Sequence, residues 1–331
     1  VLSRRVLVIA LVAAACGEQG SSPAAESTGA GDTSTASTSS GAGTSDTSAG
    51  DTTTGAPAVP LGPWRVMTFN IMCESCTPDG YEQWDARIPH IGDTIRRHDP
   101  DLLGTQELFS AVEVDEIAAE IPGYTSIWFA KPTEDMLDYA DAAIWYRTEM
   151  FEEIDHGFYW LSPKPDMPYS TGFAAPQLPR LVAWARLRAL AEDAEFVFAT
   201  THFDNNAPSQ EMSAPLVLER TASLGAEVPV LMVGDFNSDL ADVAYDILTQ
   251  GVDGAGPRFD DAFVLAGDAW RQDSNLDPIP GYEPDARIDH VFMTGAPWTA
   301  TDWVVDQWGY GPDMMYTSDH FAISVELAIP E

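Results

Sequence analysis

The chain has 331 residues, 45% of them hydrophobic, with 52 acidic against 16 basic side chains and a formal net charge of −36. Its ten tryptophans and apolar content suffice for a substantial core, in one large domain or two small ones. The acidity repels polyanions and leaves few cations to neutralise phosphates, which argues against avid nucleic-acid binding; a salt-adapted source is an equally good reading of it.

Residues 1–16 read as a targeting segment. Arg4-Arg5 gives a basic start, and Val6 to Ala15 is an apolar run too short to span a bilayer. Ala13-Ala14-Ala15-Cys16 resembles the lipobox of bacterial lipoproteins, in which the cysteine becomes the lipidated first residue of the mature protein. An ordinary secretory signal is the alternative. Residues 17–62 are dominated by Ser, Thr, Gly, Ala and Asp. They bury too little apolar area to offset ordering entropy, so they are expected to form a flexible tether. The folded domain is expected over residues 63–331. Near its start Cys73 and Cys76 are the remaining cysteines, too few for a structural zinc site. An exported protein meets an oxidising compartment, so a Cys73–Cys76 disulfide is expected there.

Within the domain, Arg65–Phe69 reads as a strand ending at Asn70. Trp84, Ile88, Ile91 and Ile95 have helical spacing, so a helix is expected from Trp84 to His98, before Pro100. Leu102–Gln106 is a strand delivering Glu107, and Ala111–Ile121 a short helix. Strands are then expected around 125–130, 142–146, 158–161, 181–189 and 196–200. A helix over 209–224 leads to the apolar run 228–233, and two more strands cover 288–293 and 321–326. Many strands with few helices suggest two sheets packed face to face with helices outside.

Short polar motifs stand where these strands end. They are Thr68-Phe69-Asn70, Gln106-Glu107, Thr201-His202-Phe203-Asp204, Gly234-Asp235-Phe236-Asn237, Arg287-Ile288-Asp289-His290 and Ser318-Asp319-His320. Asn70 and Glu107 offer oxygen ligands suited to Mg²⁺ or Mn²⁺. Asp235 is placed to polarise a water, with Asn237 fixing its direction. Asp289 paired with His320 makes a base or a phosphate-stabilising cation, and His202 supplies a second imidazole. His290 should point to the opposite face of its strand. Singly, each motif also reads as a turn, a cap or a structural histidine. His90, His98 and His156 lie outside such motifs and are taken as structural.

In this order and combination the motifs closely resemble the endonuclease/exonuclease/phosphatase superfamily, over nearly all of the chain from Trp64 onward. The resemblance implies an α/β fold, a four-layer α/β/β/α sandwich of two packed mixed sheets with the site at the sheet rims. It implies a metal site at Asn70 and Glu107, with Asp319 as a further ligand. It gives Asp235 and Asn237 the nucleophilic water or the phosphate beside it, and His202 and His320, with Asp289, the pentavalent phosphorus. The general base is left open between Asp235 and His320. Arg180 is a phosphate contact or a surface arginine, and Tyr146 approaches the site or packs in the core.

The expected function is therefore an exported, lipid-anchored, Mg²⁺- or Mn²⁺-dependent phosphoester hydrolase acting on small or lipid phosphoesters, with no protein partner implied. A secreted endonuclease and a sphingomyelinase-type phospholipase are the enzymatic alternatives; a non-catalytic binding module is the third. Met72, where some nucleases of the family carry an acidic residue, and the Cys73–Tyr81 insertion beside the metal seat weigh against a nuclease. The aromatic stretch Trp298, Trp303, Trp308 and Tyr310 reads either as a membrane or substrate element or as edge-strand packing.

Overall fold

The computed structural model describes residues 59–174, 178–267 and 286–331. The signal segment with Cys16 and nearly all of the tether lie outside the described residues. Two six-stranded mixed sheets form the centre. The first comprises β1 (Leu61–Asn70), β2 (Leu102–Gln106), β3 (Tyr124–Phe129), β4 (Tyr139–Arg147), β11 (Thr299–Asp306) and β12 (Ala322–Ile329), in the order β11-β12-β1-β2-β4-β3. The second comprises β5 (Phe151–Trp160), β6 (Leu181–Ala189), β7 (Ala194–His202), β8 (Val230–Asp235), β9 (Asp260–Asp261) and β10 (Asp289–Thr294), in the order β5-β6-β7-β8-β10-β9.

Apolar side chains from both sheets, among them Val66, Ile144, Phe196, Val233 and Val325, fill the space between them. Helices α1 (Trp84–His98) and α2 (Ala111–Glu120) cover the outer face of the first sheet through Ile91, Ile95 and Ile117. Helices α3 (Ala207–Leu224) and α4 (Val243–Gln250) cover the second through Ala214, Val217 and Leu248. A one-turn helix, α5 (Ala262–Leu265), follows β9. The result is the expected four-layer sandwich. Central strands covered on both faces lose the alternation of a half-exposed strand, hence the wholly buried β2 and β8.

The sheets approach closely at Gly104. A Cβ there would lie 2.4 Å from Val233 Cγ2 and 2.6 Å from Thr200 Oγ1, so only glycine lets β2 meet β7 and β8. Just beyond it, Gln106 Nε2 donates to Thr200 Oγ1 (3.0 Å) and ties the two sheets at their polar rim.

Several elements escaped sequence reading for local reasons. β5 starts at Phe151, well before the expected position, because Glu152–His156 form an exposed, charged edge without an apolar face. β11 has a register break between Thr301 and Val304, with Asp302 in the left-handed region (φ 52), which erases its period. The helix α4, only eight residues long, was missed as well. In the aromatic stretch Trp298 and Trp303 are buried in the inter-sheet core, as edge-strand packing requires. Trp308 is 39% exposed and lies under the Arg97 guanidinium, 4.2 Å from ring centroid to Cζ.

Candidate active site

Pairing register brings the polar strand ends together. In the first sheet β1 and β2 run parallel with Asn70 opposite Gln106, and Gln106 faces Ala142 of β4. In the second, parallel β7 and β8 set His202 opposite Asp235, and antiparallel β10 sets Asp289 opposite Asp235. The two rims meet across the sandwich, where Asn70 Nδ2 donates both to Glu107 Oε1 (3.1 Å) and to Asp235 Oδ2 (3.0 Å).

Asp235 is the hub. It is 1% exposed, and its Oδ1 accepts the Asn237 amide (2.8 Å). Its Oδ2 lies 3.4 Å from His202 Nε2 and 3.8 Å from His320 Nε2. Each imidazole is held from behind by a second carboxylate: His320 Nδ1 by Asp289 Oδ2 (2.6 Å), His202 Nδ1 by Asp141 Oδ1 (2.9 Å). Burial pushes the His320 pKa down, but Asp289 and Asp235 outweigh it and hold it well above the ordinary value. For His202, burial and Arg180 act downward while Asp141 and Asp235 prevail, so its pKa is raised too. The flanking carboxylates thus shift both rings toward the doubly protonated form, with Nε2 facing Asp235.

Asp141 had no motif to announce it. It lies inside β4, fully buried, with Arg180 Nη1 donating to its Oδ2 (2.7 Å). Burial works against its charge, yet Arg180 and His202 bring its pKa down to about 2. The signal that could have found it is a lone aspartate in an otherwise apolar strand, Ala140-Asp141-Ala142-Ala143-Ile144. Arg180 is accordingly a buried residue of this cluster, with Nη1 also 2.7 Å from His202 Nδ1, and not a surface arginine.

Tyr146 is a correction. It pairs with Leu102, at the opposite end of β2 from Gln106, and packs in the inter-sheet core. With strands rising about 3.3 Å per residue, four residues separate it from the rim by about 13 Å. It does not approach the site. His290 faces away from Asp289 as expected. Its Nε2 donates to Ser238 O (2.8 Å) and its Nδ1 accepts from Arg287 Nη1 (2.9 Å), while burial and Arg287 depress its pKa to about 3.

The segment after Asn70 folds back over Glu107. Met72 N donates to Asn70 Oδ1 (3.1 Å) and Cys73 N to Glu107 Oε2 (2.9 Å), and Cys73 and Cys76 form a disulfide. Asn70 therefore points its amide nitrogen, not its oxygen, at the carboxylates, and braces Glu107 against Asp235. Behind Glu107, Ser110 caps α2 by accepting Glu113 N, and Glu113 Oε2 accepts Phe109 N in return. Met72, Glu107 and Asn237 are all left-handed (φ 56, 71 and 48), a concentration of backbone strain at one rim. Asn237 is fastened there, its Nδ2 donating to Phe203 O (3.0 Å) and its own carbonyl accepting Gln210 Nε2 (2.6 Å). Ser318 Oγ donates to Asn70 O (2.7 Å), which carries Asp319 and His320 to the same place.

Two groupings bear on a divalent cation. Asp235, Asp289 and His320 present ligand atoms within 4.8 Å of one another, but all three are buried and Asp289 and His320 are hydrogen-bonded together. Glu107 and Asp319 are only partly buried. Mg²⁺ prefers carboxylate oxygens and keeps several waters, so the chemistry and openness of Glu107 and Asp319 fit it better. The sulfurs of Cys73 and Cys76 sit near Glu107 but are committed to their disulfide.

A model of the endonuclease/exonuclease/phosphatase family matches residues 67–320. No curated protein matches the chain. Among solved structures, a mannosyl-6-phosphatase from Bacteroides thetaiotaomicron is 28% identical, with a TM-score of 0.65 over 80% of this chain and 99% of that one. An endonuclease/exonuclease/phosphatase family protein from the same organism is also 28% identical (TM-score 0.65; 81% and 98% covered). The endonuclease/exonuclease/phosphatase from Bacteroides vulgatus is 25% identical (TM-score 0.69; 80% and 98% covered).

Proposed function

Since the chain belongs to the endonuclease/exonuclease/phosphatase family, we propose that it is a divalent-metal-dependent hydrolase of small phosphoesters, exported and held at a membrane through a lipid on Cys16. The observation that carries the reading is the surroundings of Asp235: one buried carboxylate with an imidazole on each of two sides, each imidazole braced by its own aspartate. Glu107 and Asp319 would hold Mg²⁺ or Mn²⁺, and Asn70 braces Glu107. When bound, the ion supplies Lewis-acid neutralisation of the phosphate oxygens.

The side chains do the rest. With both imidazoles already flanked by carboxylates, Asp235 is the group left to take a proton, and it receives one from the water that attacks phosphorus. As the bond from phosphorus to the leaving oxygen breaks, His202 and His320 donate through Nε2–H to the oxygens that gain charge, and a proton from one of them neutralises the leaving group. Asp141 and Asp289 keep the rings in the donating orientation. Arg180 adds positive charge behind His202.

Charge placement supports a small substrate. Arg96, Arg97, Arg147, Arg186, Arg188 and Arg220 are each bridged to acidic side chains. Paired in this way, they offer little to a polyanion's backbone. That one structural neighbour is a sugar phosphatase points the same way. The test is turnover of p-nitrophenyl phosphate, bis-p-nitrophenyl phosphate, hexose 6-phosphates, sphingomyelin and plasmid DNA, with Mg²⁺ or Mn²⁺ and with EDTA. Chelator-sensitive hydrolysis of the small esters is expected. Turnover confined to DNA or to sphingomyelin would overturn the substrate class, and chelator-insensitive turnover would overturn the metal.

A further inference from the structure

Arg87 of α1 is fully buried, yet among the described residues it forms no salt bridge with a carboxylate. Its guanidinium donates instead to backbone carbonyls: Nη1 to Ile71 O (2.9 Å) and Thr317 O (2.8 Å), Nη2 to Met72 O (2.9 Å) and Cys73 O (3.3 Å), and Nε to Glu82 O (3.0 Å). A weaker contact reaches Thr77 Oγ1 (3.4 Å). Burying a guanidinium without an ion-pair partner is costly, and burial brings its pKa down to about 10.

The carbonyls it gathers belong to two segments far apart in sequence. One is Ile71–Cys73, which follows Asn70 and whose Cys73 amide donates to Glu107 Oε2 (2.9 Å). The other is Thr317, which precedes Ser318, Asp319 and His320. The same two segments are stitched a second time by Ser318 Oγ donating to Asn70 O (2.7 Å). Arg87 thus sits directly behind the pair Glu107 and Asp319, whose charges both act on it favourably.

We propose that Arg87 is the positioning residue of the metal seat: by pulling the Ile71–Cys73 and Thr317 carbonyls onto one fork, it sets the separation of Glu107 and Asp319. The inference rests on the proposed metal-dependent reading and goes beyond it by naming what builds the seat. Only arginine suits the task. A lysine ammonium is a point donor and cannot serve carbonyls on several sides of a planar fork. Loss of charge alone would act in the opposite direction, since a buried cation beside the seat repels a metal ion. The Arg87→Lys variant keeps a cationic side chain and removes the fork, so it isolates the tie.

The experiment is Mn²⁺ binding to the full chain, read by loss of the free-ion EPR signal. Wild type, Arg87→Lys, Ser318→Ala and Glu107→Gln are compared, with thermal unfolding in EDTA as a fold control. Residues that orient a metal's ligands without touching the ion change its affinity by about 10–100-fold. Arg87→Lys is therefore expected to weaken Mn²⁺ binding about tenfold or more, while kcat at saturating Mn²⁺ stays within threefold of wild type. A Kd within twofold of wild type, with Glu107→Gln abolishing binding, would overturn the proposal and leave the metal reading intact. If Glu107→Gln binds Mn²⁺ like wild type, the metal reading itself fails, and Arg87 with it. Should Arg87→Lys not fold, Ser318→Ala decides, because it cuts the second stitch between the same segments: about tenfold weaker binding supports the proposal, and an unchanged Kd overturns it.

Discussion

Replacing Asp141 by asparagine tests the geometry around His202 most directly. Both groups facing the carboxylate are donors, Arg180 Nη1 at Oδ2 (2.7 Å) and His202 Nδ1 at Oδ1 (2.9 Å). An amide of the same shape can accept from only one of them and must turn its own N–H₂ toward the other. Arg180 cannot give up its protons, so the asparagine oxygen is expected to serve it and its nitrogen to face His202. The imidazole then gives up its Nδ1 proton in order to accept there, and is left neutral with its remaining proton on Nε2. Burial and Arg180, which push the His202 pKa down, are no longer opposed by Asp141, and its pKa drops. Breaking a buried charge pair costs about 3–5 kcal/mol. The lower end applies, because the bond to Arg180 survives. At about 2–4 °C per kcal/mol for a domain of this size, the melting temperature should fall by roughly 6–12 °C. Turnover at neutral pH should fall further than stability explains, by about 10²–10⁴-fold, the worth of a general acid, because the neutral ring keeps its Nε2–H but no longer carries the charge or a proton to spare. The assay is kcat/KM against pH, measured well below the melting point. The limb where activity declines on the alkaline side should move to lower pH, because the protonated His202 is required and is now harder to keep. Activity within threefold of wild type, with that limb unmoved and only the melting temperature lowered, would show Asp141 to be purely structural.

Two further outcomes follow from the same distances. Tyr146→Phe should leave kcat/KM within twofold of wild type, because the ring packs in the inter-sheet core at the far end of β2; a tenfold loss would contradict that placement. His290→Gln should flatten the pH dependence of stability on the acid side. The folded pKa of about 3 lies below the unfolded value near 6.5. The stability this neutral histidine contributes is therefore present above about pH 6.5 and lost as pH falls toward 3, by up to about 1.4 kcal/mol per pH unit. Urea midpoints of both proteins between pH 4 and 7 measure the difference, and parallel curves would refute it.

What could be read in advance was whatever repeats or ends abruptly. The helix over Trp84–His98 and the strands Leu102–Gln106 and Leu181–Ala189 have the bounds expected from apolar spacing and from Pro100. The strand-end motifs were visible because a polar residue after an apolar run is itself an anomaly. Asp141 and Arg87 were illegible, and Arg180 was left between two readings, for one reason. Each is a charged residue whose role is set by partners remote in sequence: Asp141 lies 61 residues from His202, and Arg87 lies 230 from Thr317. Periodicity places Arg87 on a helix, and only the packing of α1 against two loops turns its guanidinium inward. Tyr146 failed in the opposite sense. It ends an apolar strand as the motifs do, but β4 runs antiparallel to β2, so its C-terminal end lies away from the rim.

A net charge of −36 on a chain proposed to handle an anionic group looks contradictory until the two length scales are separated. At physiological ionic strength the field of surface carboxylates decays over about 8 Å, so an approaching substrate feels the acidic surface mainly at close range. Inside the rim the local balance is different. His202 and His320 carry raised pKa values, Arg180 is buried against His202 and Arg87 against the Ile71–Cys73 and Thr317 carbonyls, and each carboxylate there already meets a donor or a cation. On the proposed reading the surface would then act as a filter on the number of charges a substrate carries. A monoester of a small alcohol brings one phosphate to the rim and pays the repulsion once. A polynucleotide would have to lay many phosphates along a surface on which Arg96, Arg97, Arg147, Arg186, Arg188 and Arg220 are already bridged to acids, and the cost accumulates with each one. On the proposed reading the same acidity would favour short, singly phosphorylated substrates over polymers. The preference should weaken as added salt screens the surface while the buried pairs remain intact.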